Sequence, residues 1–236
     1  MLQSNSVCPS DPARLRGWNW ESIAKPIDVP ERARLLVQDA PAKHIYFIAE
    51  GVVRLATTLS DGQRQILGFG LPGNLVGFQI GDRYNFSVEA VTPTKAYQLL
   101  RSGLLDLMNQ KLHLAPSLLE LFAQELTFIQ NQIAIFGYRA SEQRVAFFLR
   151  SLRERWSRII GPEKPVPMPM TRQDIADFLG LRLETVSRTI SRMSREKVID
   201  LQSGHFRITD DARIGRLLSG GWPKTSGNGR RAAARL

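Results

Sequence analysis

"TRQDIADFLGLRLETVSRTISRM", residues 171–193, decides how the rest of the chain is read. Thr171 is a natural N-cap, and Asp174 three positions on suits the free amides of a first helical turn. Ile175 and Leu179 give that helix a buried side, and Ala176 is small enough for close helix contact. Gly180 supplies a tight turn, Leu181 plugs the corner, and Val186, Ile190 and Met193 form the inward stripe of a second helix. This is the layout of a helix-turn-helix, whose second helix lies in the DNA major groove.

With that stripe turned inward, Glu184, Ser187 and Arg188 occupy the outward, early part of the second helix. An arginine donates two hydrogen bonds to guanine O6 and N7, and a glutamate accepts one from cytosine N4. Glu184 and Arg188 are also spaced i, i+4, so the acid can steady the arginine. An ordinary surface ion pair, worth a few tenths of a kcal/mol, is the plainer alternative. The surrounding motif favours base reading, with Arg192 further along the helix on the DNA backbone. "VIDLQSGHFRITD", residues 198–210, then predicts a hairpin turning at Ser203-Gly204, a wing from which His205 and Arg207 can touch phosphate or simply be solvated.

The charge distribution supports a polyanionic partner. The formal net charge is +10. Residues 1–138 hold 12 Lys+Arg and 12 Asp+Glu, whereas residues 139–236 hold 20 and 10, so the whole surplus lies in the back part. Double-stranded DNA is favoured over an anionic membrane, which would want a basic amphipathic helix with bulky apolar residues free to insert.

Working outward, "GPEKPVPMPM" before the motif is a connector that cannot be helical throughout. Residues 139–160 predict an amphipathic helix with Ser141 as cap and Val145, Phe148, Leu149 and Leu152 on one side. Before it, Leu119, Phe122, Leu126, Ile129, Ile133 and Phe136 recur at steps of 3, 4, 3, 4 and 3, a seam of more than two heptads. Such a stripe can pack on its own domain, but its regularity favours pairing with a second copy as a parallel coiled coil. Pro116 suits the start of this helix, and Gly137 offers a stop, with a hinge expected over Phe136 to Arg139.

Residues 30–100 read as short strands cut by Gly51, Asp61-Gly62 and Pro72-Gly73, with a further strand over 86–100, which implies a barrel or sandwich. The expected domains are therefore a barrel with an N-terminal extension over 1–110, a dimerisation helix over 111–138, a winged helix-turn-helix over 139–219 and a mobile basic tail over 220–236.

Composition bounds the remaining classes. A chain of 236 residues with 43% hydrophobic content can bury a real core. No apolar run approaches the roughly 20 residues of a membrane span, and the N-terminus lacks the plan of a signal peptide, so a cytoplasmic location is expected. Cys8 is the only cysteine, which excludes an internal disulfide and a cluster held by cysteines alone. His44, His113 and His205 are scattered, so neither a metal nor haem is expected. A cupin-like enzyme would need several histidines on barrel strands, and residues 30–100 contain one, so no enzyme is expected.

The segment "MTRQDIADFLGLRLETVSRTISRM" with its wing, the seam helix and the glycine-punctuated barrel together resemble the CRP/FNR superfamily of bacterial transcription regulators. "ETVSR" resembles the FNR-type reading helix, and "LSDGQRQILGFGLPGNLVG" resembles the FixK branch. The resemblance implies an α+β fold: an N-terminal jelly roll like the cyclic-nucleotide-binding domain, a long dimerisation helix and a C-terminal winged helix-turn-helix. It implies a homodimer, an activator that meets RNA polymerase, with Glu184, Ser187 and Arg188 reading palindromic TTGA-type sites. Thr171, Arg172, Gln173 and Thr185 match family positions that hold the DNA backbone, and Arg182 stands where FNR carries a capping Thr, as a phosphate contact. Leu183 replaces the Arg of CRP, which argues against the CRP operator.

Cyclic-nucleotide binders of the family place a Glu after the barrel glycine and an Arg-Ser pair on the phosphate. Here Phe78 follows Gly77, and Tyr84 and Asn85 stand at the pair. A phosphate without a guanidinium would be poorly compensated, so no small-molecule cofactor is expected. The alternative is a ligand-responsive CRP-type regulator with a pocket shifted toward Arg83.

Overall fold

The computed structural model describes residues 24–79, 81–110, 115–138 and 140–220. Cys8, His113, Arg139 and the tail from 221 lie outside them. Eight strands come first: β1 (Ala24–Val29), β2 (Arg34–Leu36), β3 (His44–Glu50), β4 (Val53–Thr58), β5 (Arg64–Gly70), β6 (Leu75–Val76), β7 (Ser87–Ala90) and β8 (Thr94–Leu100). They form two antiparallel four-stranded sheets, β1-β8-β3-β6 and β2-β7-β4-β5. This is a jelly roll of two sheets rather than a closed ring. The inward faces bury Leu36, Tyr46, Ile48, Val53, Val76, Tyr84, Val88 and Ala96. Gly51, at φ 90°, makes the β3–β4 turn possible, because a Cβ there would lie 2.5 Å from the Pro93 carbonyl oxygen.

Two expectations about these strands need correction. The strand expected over 86–100 is broken into β7 and β8, because Val91–Pro93 form a turn that passes the chain from one sheet to the other. The sheets also begin before residue 30, since β1 pairs along its length with β8. Its exposed Lys25, Pro26 and Asp28 give no alternating pattern, so only the pairing with β8 marks it as a strand.

Helices follow: α1 (Arg101–Gln110), α2 (Ala115–Gly137) and α3 (Ser141–Ile160). The α2 helix runs over Ala115–Gly137, within the 111–138 expected, with Pro116 in its first turn and Gly137 at its end. Ser141 does not cap α3. Ala140 occupies the N-cap position, and the Gln143 side chain accepts its amide at 3.2 Å. The head then adds β9 (Val166–Pro167), α4 (Arg172–Leu179), α5 (Leu183–Arg195), β10 (Ile199–Gln202), β11 (His205–Ile208) and α6 (Asp211–Gly220). The connector thus contributes a strand, and the head continues as α6, packed on α3 through Ile214, Leu217 and Leu218, to Gly220.

Head and jelly roll share one core. Val52, Ile66, Phe69 and Leu71 of the sheets bury against Ile135 of α2, Phe148, Leu149 and Leu152 of α3, and Phe178 and Leu179 of α4. The rings of Phe69, Phe148 and Phe178 meet pairwise with centroids 5.6–6.2 Å apart. Such aromatic contacts add about 0.5–1.5 kcal/mol each beyond their buried area.

Candidate nucleic-acid interface

The reading head is assembled as its sequence requires. Thr171 caps α4: its hydroxyl accepts the Asp174 amide at 3.0 Å, and the Asp174 carboxylate accepts the Thr171 amide at 3.2 Å. Gly180 ends α4 in the left-handed region at φ 62°, which redirects the chain into α5. Val186, Thr189, Ile190 and Met193 are the buried side of α5. On the opposite side Glu184 and Arg188 are exposed, and Ser187 is half-buried between them. Among the described residues no ion pair joins Glu184 to Arg188, and both are exposed.

The expected backbone-holding residues divide into two groups. Thr171, Gln173 and Arg182 are exposed around the N-termini of α4 and α5, where helix amides favour an anion. Arg182 is the N-cap of α5 and makes no side-chain cap bond. Thr185 and Arg172 are half-buried. Burial holds the Arg172 guanidinium below its ordinary pKa, and Nη1 donates to the Met168 sulfur at 3.9 Å. A cation so placed gains from any phosphate that approaches.

Arg192 is engaged differently, since its Nε donates to Glu196 at 2.9 Å, and Glu196 also accepts from Arg213. Its charge is thus partly spent inside the head. His205 stands exposed on the wing, its Nδ1 3.1 Å from the Ser203 carbonyl. The wing turns at Gly204, φ 70°, and β11 is flanked by β10 and β9.

The seam of α2 is uncovered in the single chain. Leu119, Leu126, Ile129, Ile133 and Phe136 are each 52–67% exposed. Phe122 is the exception: it is half-buried, its ring 4.5 Å from that of Phe78 on the jelly roll. Of the stripe, Phe122 packs on the chain's own jelly roll and the other five residues face outward.

Two residue sets were not foreseen. Arg54 and Arg64 of the jelly roll reach Asp174 at 2.9 and 3.1 Å, and Arg64 reaches Asp177 at 2.7 Å. Partners 120 positions apart leave no periodic signal in a sequence. Leu183, treated above only as a departure, is 38% exposed beside Glu184 at the start of α5.

The comparisons agree with this geometry. A model of the Crp-like helix-turn-helix domain matches residues 143–217, and one of the cyclic nucleotide-binding domain matches residues 26–111. The chain is 36% identical over 200 residues to the transcriptional activatory protein AadR of Rhodopseudomonas palustris, covering 85% of this chain and 84% of that protein. It is 34% identical over 219 residues to the nitrogen fixation regulation protein FixK of Bradyrhizobium diazoefficiens, covering 92% of each. The chain belongs to the CRP/FNR family of transcription regulators, in its FixK-like branch.

The solved structure of FixK2 from Bradyrhizobium japonicum superposes with a TM-score of 0.74 at 29% identity, covering 83% of this chain and 97% of that one. The family members matched here are regulators, not enzymes. Among the described residues no helix is long and apolar enough to cross a membrane, and none group as three or more candidate metal ligands.

The residues aligned with the family's nucleotide contacts are engaged within the chain. Tyr84 is 4% exposed, and its hydroxyl donates to the His44 carbonyl at 2.7 Å and accepts the His44 amide at 3.0 Å. Phe78, after Gly77, turns to α2 rather than into the roll. Arg83 donates to the Asp39 carbonyl at 2.5 Å on the surface, and Asn85 is exposed.

Proposed function

We propose that this CRP/FNR regulator binds as a homodimer to a palindromic TTGA-type DNA site and activates transcription without a small-molecule effector. The observation that carries the reading is the outward row of Glu184, Ser187 and Arg188 on a helix whose other side is wholly committed to the core. An acceptor and a forked donor at the N-terminal end of a groove-entering helix match the edges of cytosine and guanine. The exposed Leu183 adds an apolar contact suited to a thymine methyl.

Dimerisation is supported by the exposed seam, which wants a second helix to cover it. Pairing two α2 helices brings two heads to half-sites about 34 Å apart. Activation as the outcome is supported by the relative named as a transcriptional activatory protein, and RNA polymerase is the partner that the family resemblance implies. Independence from an effector is supported by the packed interior around Tyr46 and Tyr84 and by the engagement of Arg83 with a backbone carbonyl. A ligand-responsive jelly roll would rest on the match to the cyclic nucleotide-binding domain model over residues 26–111.

Selection of bound sequences from random duplex DNA tests the reading. The expected result is an inverted repeat of TTGA-type halves bound by a dimer with no added ligand. An unsymmetrical motif, binding by monomer, or no enrichment would overturn it.

A further inference from the structure

The first helix of the head carries two carboxylates on one side, Asp174 and Asp177, three positions apart. Its N-terminal turn also carries Thr171, Arg172 and Gln173, the residues expected on the DNA backbone. An anion approaching that turn would meet favourable helix amides together with two like charges. The jelly roll resolves the conflict. Arg54 donates to Asp174 at 2.9 Å and to Glu89 at 2.5 Å, and Arg64 donates to Asp174 at 3.1 Å and to Asp177 at 2.7 Å. The Gln65 side chain also donates to the Asp177 carbonyl at 2.8 Å.

Three of the four groups in the clasp are shielded from solvent. Asp174 is 1% exposed at its side chain, Arg54 and Asp177 are 17% exposed, and Arg64 is 40% exposed. It leaves the reading surface open, because Glu184, Arg188, Thr171, Gln173 and Arg182 remain exposed while the head is docked. A contact that hid those residues would be an inhibitor; this one does not.

We propose that Arg54 and Arg64 are positioning residues for DNA binding, holding the head in its DNA-ready orientation and neutralising Asp174 and Asp177 beside the phosphate path. The inference rests on the DNA-binding reading above. Neither arginine touches DNA. Both act through α4, by sparing the complex the ordering of a loose head and the repulsion of two bare carboxylates.

The test uses the full chain and two labelled duplexes, the selected palindrome and a scrambled one, read by fluorescence anisotropy. Arg54→Met with Arg64→Met should weaken binding to the palindrome about tenfold, through the loss of two compensating charges and of preorganisation. Adding Asp174→Asn and Asp177→Asn should recover most of that loss, since asparagine keeps the cap of α4 while removing the charge. Because neutral carboxylates would also rescue a purely structural ion pair, thermal unfolding of the same variants is read in parallel, and a binding loss that only tracks lost stability would overturn the proposal. The half-exposed Arg64→Met alone, checked by circular dichroism, is the milder variant if the double change unfolds the chain.

Tighter binding by the arginine variants would make the clasp an inhibitor and overturn the proposal, as would unchanged binding or a loss that the neutralised carboxylates fail to recover. If the wild-type chain does not prefer the palindrome, the DNA-binding reading falls and this one with it. If it does, and the variants match it, only the clasp is wrong.

Discussion

Tyr84 and His44 are joined twice, the tyrosine hydroxyl donating to the histidine carbonyl at 2.7 Å while accepting its amide at 3.0 Å. The side chain thus closes the jelly roll with its ring and satisfies two backbone groups with one oxygen. Burial, the larger influence, raises the Tyr84 pKa above the ordinary tyrosine value, and the bond from the His44 amide partly opposes it.

A folded-state pKa raised above the unfolded value means that the neutral phenol is favoured in the native chain. Stability from this group is therefore complete below about pH 10 and is lost as the pH climbs through the raised value. Urea unfolding followed from pH 8 upward should show this alkaline loss in the wild type and not in Tyr84→Phe. At neutral pH, Tyr84→Phe should cost about 1–3 kcal/mol, because the His44 amide and carbonyl lose their partner.

The seam gives a second expectation. Ile133 is 65% exposed in the single chain and the fifth of the six seam positions, so Ile133→Asp would bury a carboxylate in a state paired along the seam. Sedimentation equilibrium should show the dimer weakened by at least about thirtyfold, the effect of losing an apolar interface anchor. The fold of each chain should be unchanged, since Ile133 has little burial to lose. An unaltered dimer would place the interface elsewhere.

Arg188→Ala should cost roughly 1–3 kcal/mol of specific affinity and relax the choice at one base pair. Competition between cognate and singly substituted duplexes measures this directly. A variant that keeps the wild-type preference would remove Arg188 from the reading set.

Thr171→Ala removes the N-cap of α4 and should lower stability by about 1 kcal/mol, while Thr171→Ser should be close to neutral. Thermal unfolding of the two variants in parallel separates the cap from any effect of side-chain volume.

Affinity for the palindrome should fall steeply with salt, each neutralised phosphate contributing a log–log slope of about −0.9. Arg182→Ala, at an exposed N-cap with no internal side-chain cap bond, should reduce the slope by about one unit. An unchanged slope would mean that Arg182 stays in water.

The sequence was most legible where local rules suffice. Thr171, Asp174, Gly180 and the Val186, Ile190 and Met193 stripe announced the head because caps, left-handed glycines and helical periods are written within a few residues of one another. The α2 seam was legible for the same reason. What escaped were long-range pairings. The β1 strand has only its match with β8 to reveal it, β9 is two residues inside a proline-rich connector, and the turn splitting β7 from β8 is dictated by the two-sheet arrangement. The Arg54 and Arg64 contacts to α4 escaped as well, since nothing about an arginine on an alternating strand identifies its partner.

Ser141 shows a local rule misapplied. A serine beside the start of α3 is a fair capping candidate, yet Gln143 reaches back to the Ala140 amide and moves the boundary by one position.

The pairing of β9 with β11 sets His205 opposite Pro167 and Phe206 opposite Val166. A two-stranded flap on a soluble domain would be a loose arm that must be stilled before it can grip anything. This one is hemmed on its far edge by the very connector that leads into α4, so arm and first helix share a common root. Any tug on one is felt by the other, and the sugar-phosphate rail would meet them as a single stiff jaw.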